Sequence, residues 1–427
     1  MTTSVNTSAV KTTSYKVILP FYLYAAIAFL AAAILLFISS DAFLQEYFHP
    51  HILAITHIVA LGWGTMIILG ASHQLVPVLV EGSLYSHKLA YTTFIFAALG
   101  IPLLACGFYT FDMGDPAKWG GRFVVLAILS YLINLGISIF KSKNKNMHAI
   151  YVFTAVIWLF VTTFLGLALV YNFTYKIMPH ESLYYLPLHV HTGVIGWFLL
   201  LIIGVASRLI PMFLISKYTN IRLLQMIYFL INFALISYIF LFYFIPIKIM
   251  IFIPAAALLV GIISFVYYCY QAFKQRIRRQ VDKQLKLSLL AAGMLILPII
   301  LLIILLSLFG SSGEENNVLV VAYGFLIFFG WLTALILGMT FKTLPFIVWN
   351  KIYGHRAAIG KTPNPKDMFS DTVFKIMGIS YLLGFIVFLS GLLSAELILL
   401  RVGGMLLLIT AILYNFNVLK IVYHKPG

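Results

Sequence analysis

The sequence predicts an all-α integral membrane fold of twelve transmembrane helices grouped into three four-helix repeats. Three observations carry this reading. Hydrophobic residues make up 62% of the 427 and charged residues only 9%, against roughly 45–50% apolar and 25% charged in a soluble domain. The chain divides into twelve apolar runs, each near the roughly 20 residues a helix needs to cross the hydrocarbon layer. Finally, one template occurs three times at a spacing of 134 residues: a Gly-Trp pair, a Gly seven residues after the Trp, and a Pro seven residues after that Gly. The copies are Gly62-Trp63, Gly70, Pro77; Gly196-Trp197, Gly204, Pro211; and Gly330-Trp331, Gly338, Pro345. A repeat this long in so apolar a chain implies three copies of one multi-helix unit related by pseudo-threefold symmetry.

The elements follow in chain order. Residues 1–16, Ser- and Thr-rich with Lys11 and Lys16, read as a disordered cytoplasmic tail. A cleaved signal peptide is not expected, because the run from Val17 is a full span and not a short apolar region. The twelve runs are about 17–40, 52–80, 89–110, 122–140, 150–173, 188–215, 223–245, 249–272, 287–310, 318–347, 373–394 and 398–422. Four helices per repeat give repeats of about 17–140, 150–272 and 287–422 in a single transmembrane domain, 1–427, with the template on helices 2, 6 and 10. The longest internal loop, 348–372, holds Gly354, Gly360, Pro363 and Pro365 among basic residues and is expected to lack fixed secondary structure. Cys106 and Cys269 fall near opposite ends of their helices, beyond disulfide reach, and neither has a close Cys partner for a metal motif.

The net charge of +16 could suggest a nucleic-acid partner, but its placement points to the membrane. With the N-terminus inside, all but five of the 28 Lys and Arg residues lie on or near the cytoplasmic side, the exceptions being Lys118, Arg122, Lys176, Lys248 and Arg401. This positive-inside pattern sets both termini inside. The dense stretch from Lys274 to Lys286 reads as a topology determinant touching anionic lipid, and no nucleic-acid partner is expected. The outer loops carry the acids Asp41, Glu46, Asp112, Asp115, Glu181, Glu314, Glu315 and Glu396. A multi-pass protein of a bacterial inner membrane fits this organisation.

The histidines are the candidate chemistry. His57 and His191 occupy equivalent template positions, six residues before Trp63 and Trp197, where the third copy has Phe325. His57 falls about one and a half turns below the outer surface, roughly 8 Å at 1.5 Å per residue, and the parallel course of helix 6 puts His191 at the same depth. Two imidazoles at one depth can supply the axial ligands of a haem iron, with Gly62, Gly64, Gly70, Gly193, Gly196 and Gly204 leaving room for the macrocycle. The plainer alternative is that each His bonds a neighbouring helix or interfacial water. His189, two residues before His191, diverges from it by about 200° around the helix. It is therefore expected to face the cleft toward helix 10, where its equivalent is Tyr323, as a second metal or haem position or simply as the wet start of the helix. His73 lies near the inner surface, and its neighbour Gln74 is equivalent to Arg208 and Lys342, which most simply snorkel to the headgroups. His49, His51, His87, His148, His180, His355 and His424 read as solvated residues.

These features together resemble the catalytic subunit I of the haem-copper oxidase and nitric oxide reductase superfamily. Helix 2, with His57 and then Gly70-Ala71-Ser72-His73-Gln74-Leu75-Val76-Pro77, is similar to that family's helix giving the first low-spin haem ligand. Helix 6, with His189-Val190-His191, Gly204 and Pro211-Met212-Phe213, is similar to its His-x-His helix, which ligates both haems. The resemblance implies a b-type haem and either an electron-transfer role or chemistry on nitric oxide or another diatomic gas. In the family, however, the His-x-His belongs to the tenth helix, and helix 10 here has no His. Helices 7 and 8, where copper ligands are expected, have none either. A complete haem-copper dioxygen-reducing centre is therefore not expected, nor is copper. With no Asp or Glu in the middle of any span, coupled proton pumping is not expected. The expected partners are membrane lipid and an electron-donor protein or quinol. The competing reading is a haem-free transporter or assembly partner, with His73, Arg208 and Lys342 contacting an anion near the inner face.

Overall fold

A computed structural model describes residues 13–142, 146–245, 248–277, 280–312, 316–354 and 362–425. Among them twelve helices are long and apolar enough to cross a membrane: α1 (Tyr15–Ile38), α2 (Pro50–Leu79), α3 (His87–Tyr109), α4 (Asp115–Phe140), α5 (Met147–Tyr175), α6 (Ser182–Leu214), α7 (Ile221–Phe244), α8 (Ile249–Lys274), α9 (Lys283–Leu308), α10 (Asn317–Tyr353), α11 (Asp371–Ser394) and α12 (Leu397–Val422). The only β pairing among the described residues is an isolated bridge between Ser216 and Arg276. A helix satisfies its backbone groups within its own segment, which is why apolar runs of this length adopt it. Side-chain caps fix several starts: Ser86, Asn146, Asn220, Asn316 and Ser370 each accept a bond from the backbone N–H three residues on.

The template helices are the most buried. Within the most apolar stretch of each, 61% of α2, 83% of α6 and 78% of α10 is buried, against 22% of α7. They form the centre, and Trp63, Trp197 and Trp331 are all enclosed there. The Trp63 Nε1–H donates to Thr333 Oγ1 at 3.2 Å and the Trp197 Nε1–H to Thr65 Oγ1 at 3.0 Å, joining α2 to α10 and α6 to α2. Phe198 of α6 meets Phe328 of α10 with ring centres 6.4 Å apart. The first and last helices also pack together, Asn415 Nδ2 of α12 donating to the Ala26 carbonyl of α1 at 2.8 Å.

Each template helix changes its winding at the same place. Hydrogen bonding widens from α-helical to π-helical (i→i+5) over Ile58–Thr65, Thr192–Leu199 and Leu326–Leu332, then returns to α. The starts are again 134 residues apart, and each wide stretch begins just after His57, His191 or Phe325. Part of the disturbed ladder in α10 is answered from a neighbour, since the Tyr381 hydroxyl lies 2.9 Å from the Phe329 carbonyl and 2.7 Å from that of Gly330.

Several sequence expectations shift. α4 begins at Asp115 and not near 122, so Lys118 and Arg122 lie within a membrane helix. The charges had depressed hydropathy where the helix continues. Of the expected tail, Tyr15 and Lys16 already belong to α1, while residues 1–12 lie outside the described residues, as do Glu314, Glu315 and Arg278-Arg279 of the basic loop. In the loop 348–372, α10 runs on to Tyr353, and Pro365–Met368 form a 3-10 turn closed by reciprocal bonds between Asn364 and Asp367. Residues 355–361 of that loop, with His355 and Gly360, lie outside the described residues. Both cysteines are free, Cys106 exposed and Cys269 buried.

Candidate histidine cleft between α2 and α6

A cavity of about 280 Å³ opens among α2, α5, α6 and α10, and is lined by His57 and His189 as well as by Tyr323. Phe43, Phe48, Thr65 and Trp197 are among its lining residues. Its wall is overwhelmingly apolar, with Leu, Val, Phe and Ile side chains, and no Asp, Glu, Lys or Arg lines it. His57 sits on α2 immediately before the wide turn, against Phe108 of α3. His189 sits on α6, one residue beyond Leu188.

The two imidazoles have ring centres 6.3 Å apart and planes inclined by 17°. His57 Nδ1 lies 2.8 Å from the Leu53 carbonyl and His189 Nδ1 lies 3.1 Å from the Thr162 carbonyl. A carbonyl oxygen can only accept, so each bond places the ring proton on Nδ1 and leaves the Nε2 lone pair as the free basic site. This is the arrangement of a metal-ligating histidine, whose second nitrogen is held by a carbonyl or carboxylate. Gly166 makes room for the second ring, since a Cβ there would stand 2.8 Å from His189 Cε1.

The structure thus corrects the expected pairing. His57 and His191 do not face each other, and His189 does not turn toward α10. His191 instead looks into the next cleft, its ring centre 6.1 Å from Tyr323 of α10 and 5.5 Å from Tyr238 of α7. Its Nδ1 lies 2.6 Å from the Pro187 carbonyl, and its Nε2 is 3.5 Å from the Tyr323 hydroxyl. The reason is that equivalent residues project in the same sense from their own helices. The residue at the template position on one helix therefore meets the residue two places earlier on the next template helix: 57 meets 189, and, 134 residues on, 191 meets 323. The 200° divergence of His189 and His191 holds, with their assignment to clefts exchanged.

Most of the glycines assigned to the macrocycle do other work. A Cβ on Gly62, Gly64, Gly70 or Gly196 would stand within 2.8 Å of Ala28, Leu332, Phe21 or Trp158 respectively. They permit close helix packing, and Gly204 abuts Tyr151 in the same way. The glycines lining the cavity are Gly121, Gly166, Gly193 and Gly324, of which only Gly193 was anticipated.

The basic trio of the competing reading does not converge. His73 is fully enclosed between Phe21 and Tyr131, with Nδ1 on the Leu69 carbonyl and no partner for Nε2 among the described residues. Lys342 pairs with Asp282 and lies over the Phe213 ring, while Arg208 is exposed. Several histidines read as solvated are also engaged: His148 Nδ1 lies 3.0 Å from Ser207 Oγ, His51 stacks on Tyr109 at 4.2 Å, and His424 Nε2 lies 3.1 Å from the Tyr353 hydroxyl. His49, just outside α2, is held below its ordinary pKa, first by burial and then by the neighbouring His51, with Asp41 opposing. Among the described residues no group of three or more His, Cys, Asp or Glu side chains gathers in one place, so the chemistry on offer is that of paired ligands on either side of a bound group. No protein-family model matches the chain, and no curated protein matches it either.

Proposed function

We propose that this chain is a membrane cytochrome whose three template helices are rotational copies, divergent from subunit I of the haem-copper oxidase and nitric oxide reductase superfamily, with His57 and His189 as axial ligands of one b-type haem between α2 and α6. Two imidazoles facing one apolar cavity, each with its Nδ1 held by a backbone carbonyl and its Nε2 left free, carry the reading. Their ring centres stand 6.3 Å apart with planes inclined by 17°, wider than the 4.2 Å of His51 on Tyr109.

The chain's own residues then have distinct tasks. The carbonyls of Leu53 and Thr162 orient the ligand rings and keep Nε2 unprotonated toward the cleft. The Phe, Leu and Val side chains of the cavity exclude water, and Gly166 and Gly193 keep the α5–α6 wall thin. A bound b-type haem supplies one-electron redox chemistry, and two histidine ligands favour electron transfer over gas binding. An open axial position would instead favour nitric oxide or another diatomic gas.

The deciding experiment is an absorption spectrum of the purified protein, oxidised and then reduced, after expression with ample haem. A b-type spectrum is expected, lost in His57→Ala and in His189→Ala and kept in His191→Ala and His148→Ala. Loss in His191→Ala with retention in His189→Ala would return the assignment to the pairing first read from the sequence. A wild-type protein without haem, under conditions that load other membrane cytochromes, would overturn the reading and favour the transporter.

A further inference from the structure

Two cations lie close together in α4 without an anion. Lys118 and Arg122 are one turn apart near the Asp115 end, and among the described residues neither takes part in an ion pair. Lys118 is only 7% exposed, its ammonium 4.5 Å from the centre of the Tyr175 ring and 5.7 Å from that of Tyr171. The Arg122 guanidinium lies 4.4 Å over the Trp119 ring and donates through Nε and one terminal nitrogen to the Tyr171 hydroxyl, which leaves its remaining N–H groups without an acceptor among the described residues. Like charges one turn apart repel, and cation–π contact returns only part of the cost of keeping an ammonium from water. The Lys118 stem is packed away and its ammonium is flanked by the Tyr175 and Tyr171 rings, yet that ammonium is not among the fully enclosed polar atoms, so a ligand at the surface can reach it. Trp119 and Tyr175, by contrast, are 49% and 62% exposed on the helix surface, and Lys176 follows at the end of α5.

We propose that Lys118 and Arg122 form a binding site for a phosphate oxyanion, filled by the headgroup of an anionic phospholipid whose chains run along the exposed side of α4 and α5. The two cations supply complementary charge, and Trp119 and Tyr175 flank the headgroup at the level where aromatic rings prefer to sit. The same surface holds three of the five Lys and Arg residues that depart from the positive-inside bias. A local requirement for an anion accounts for that departure.

The site has a built-in reporter, because Trp119 is the tryptophan stacked on Arg122. The protein is reconstituted in phosphatidylcholine vesicles containing a minor fraction of phosphatidylglycerol, and bromine is placed on the chains of one lipid or the other. Brominated phosphatidylglycerol is expected to quench the part of the emission that Trp119→Phe removes more strongly than brominated phosphatidylcholine does at equal mole fraction. The preference should fall by roughly fivefold for each cation lost in Lys118→Gln and Arg122→Gln, and not at all in Arg401→Gln. Displacement by added inorganic phosphate would support the oxyanion site and name the free anion as its occupant. Equal quenching by the two lipids in the unaltered protein overturns the proposal, whatever the variants do.

Discussion

At the scale of single residues, the proposed haem site would depend on the groups that hold His57 and His189 as much as on the two imidazoles. Gly166 is not one of the proposed ligands, yet a Cβ there would press on His189 Cε1 at 2.8 Å, and the ring cannot retreat without loosening its bond to Thr162. Gly166→Ala is therefore expected to weaken haem retention by about tenfold or more, in the range seen for partners that orient metal ligands. The haem-to-protein ratio after extended washing measures this. Gly293→Ala in α9, where an added Cβ meets nothing within 4 Å, should leave the ratio unchanged. His57 as a ligand candidate was legible in the sequence because it sits in the template. Its partner was not, because sequence equivalence was read as spatial opposition. His189 carried a usable signal all along: it precedes a template position by two residues, as Tyr323 does, and the facing residues are related by that offset.

Among the elements, the three wide turns are where the template has physical meaning. The Gly-Trp pair lies inside each one, and the indoles of Trp63 and Trp197 reach a neighbouring template helix. The partners of Trp63 and Trp197 are Thr333 and Thr65, which are themselves 268 residues apart, twice the template spacing. The position between them in that register is Leu199, which has no side-chain oxygen to offer Trp331. Trp63→Phe and Trp197→Phe should thus each cost about 1 kcal/mol more than Trp331→Phe, since all three lose similar volume but only the first two lose a buried hydrogen bond. Thermal unfolding in one detergent checks this; equal losses would mean that the indole bonds contribute nothing measurable. Helix number and the apolar spans were readable from hydropathy because each run must satisfy its own backbone in lipid. The ends were read less well wherever charge lies inside a helix, as at Lys118 and Arg122 in α4, and the wide turns left no mark in hydropathy at all.

The whole molecule adds a constraint that neither residues nor helices carry alone. Copies related by rotation about one axis meet head to tail, so each interface joins two different surfaces. Under the proposed arrangement the three interfaces oppose His57 to His189, His191 to Tyr323, and Phe325 to Ile55, which gives one cleft two ligands, one cleft a single imidazole, and the last none. All this chemistry lies at one end of the bundle, where Phe48 and Phe173 stack at 6.0 Å beside Phe111. Which side of the membrane that end faces rests on the placement of Lys and Arg. If the positive-inside bias holds, a cysteine at Glu396 on the histidine side should react with a membrane-impermeant thiol reagent on intact cells, and one at Lys286 should react only after permeabilisation. The background must first lose Cys106, which is exposed. Both chosen positions are themselves exposed, so a failure to label reports sidedness and not burial. The reverse pattern would put the histidine cleft on the cytoplasmic side, and its electron donor with it.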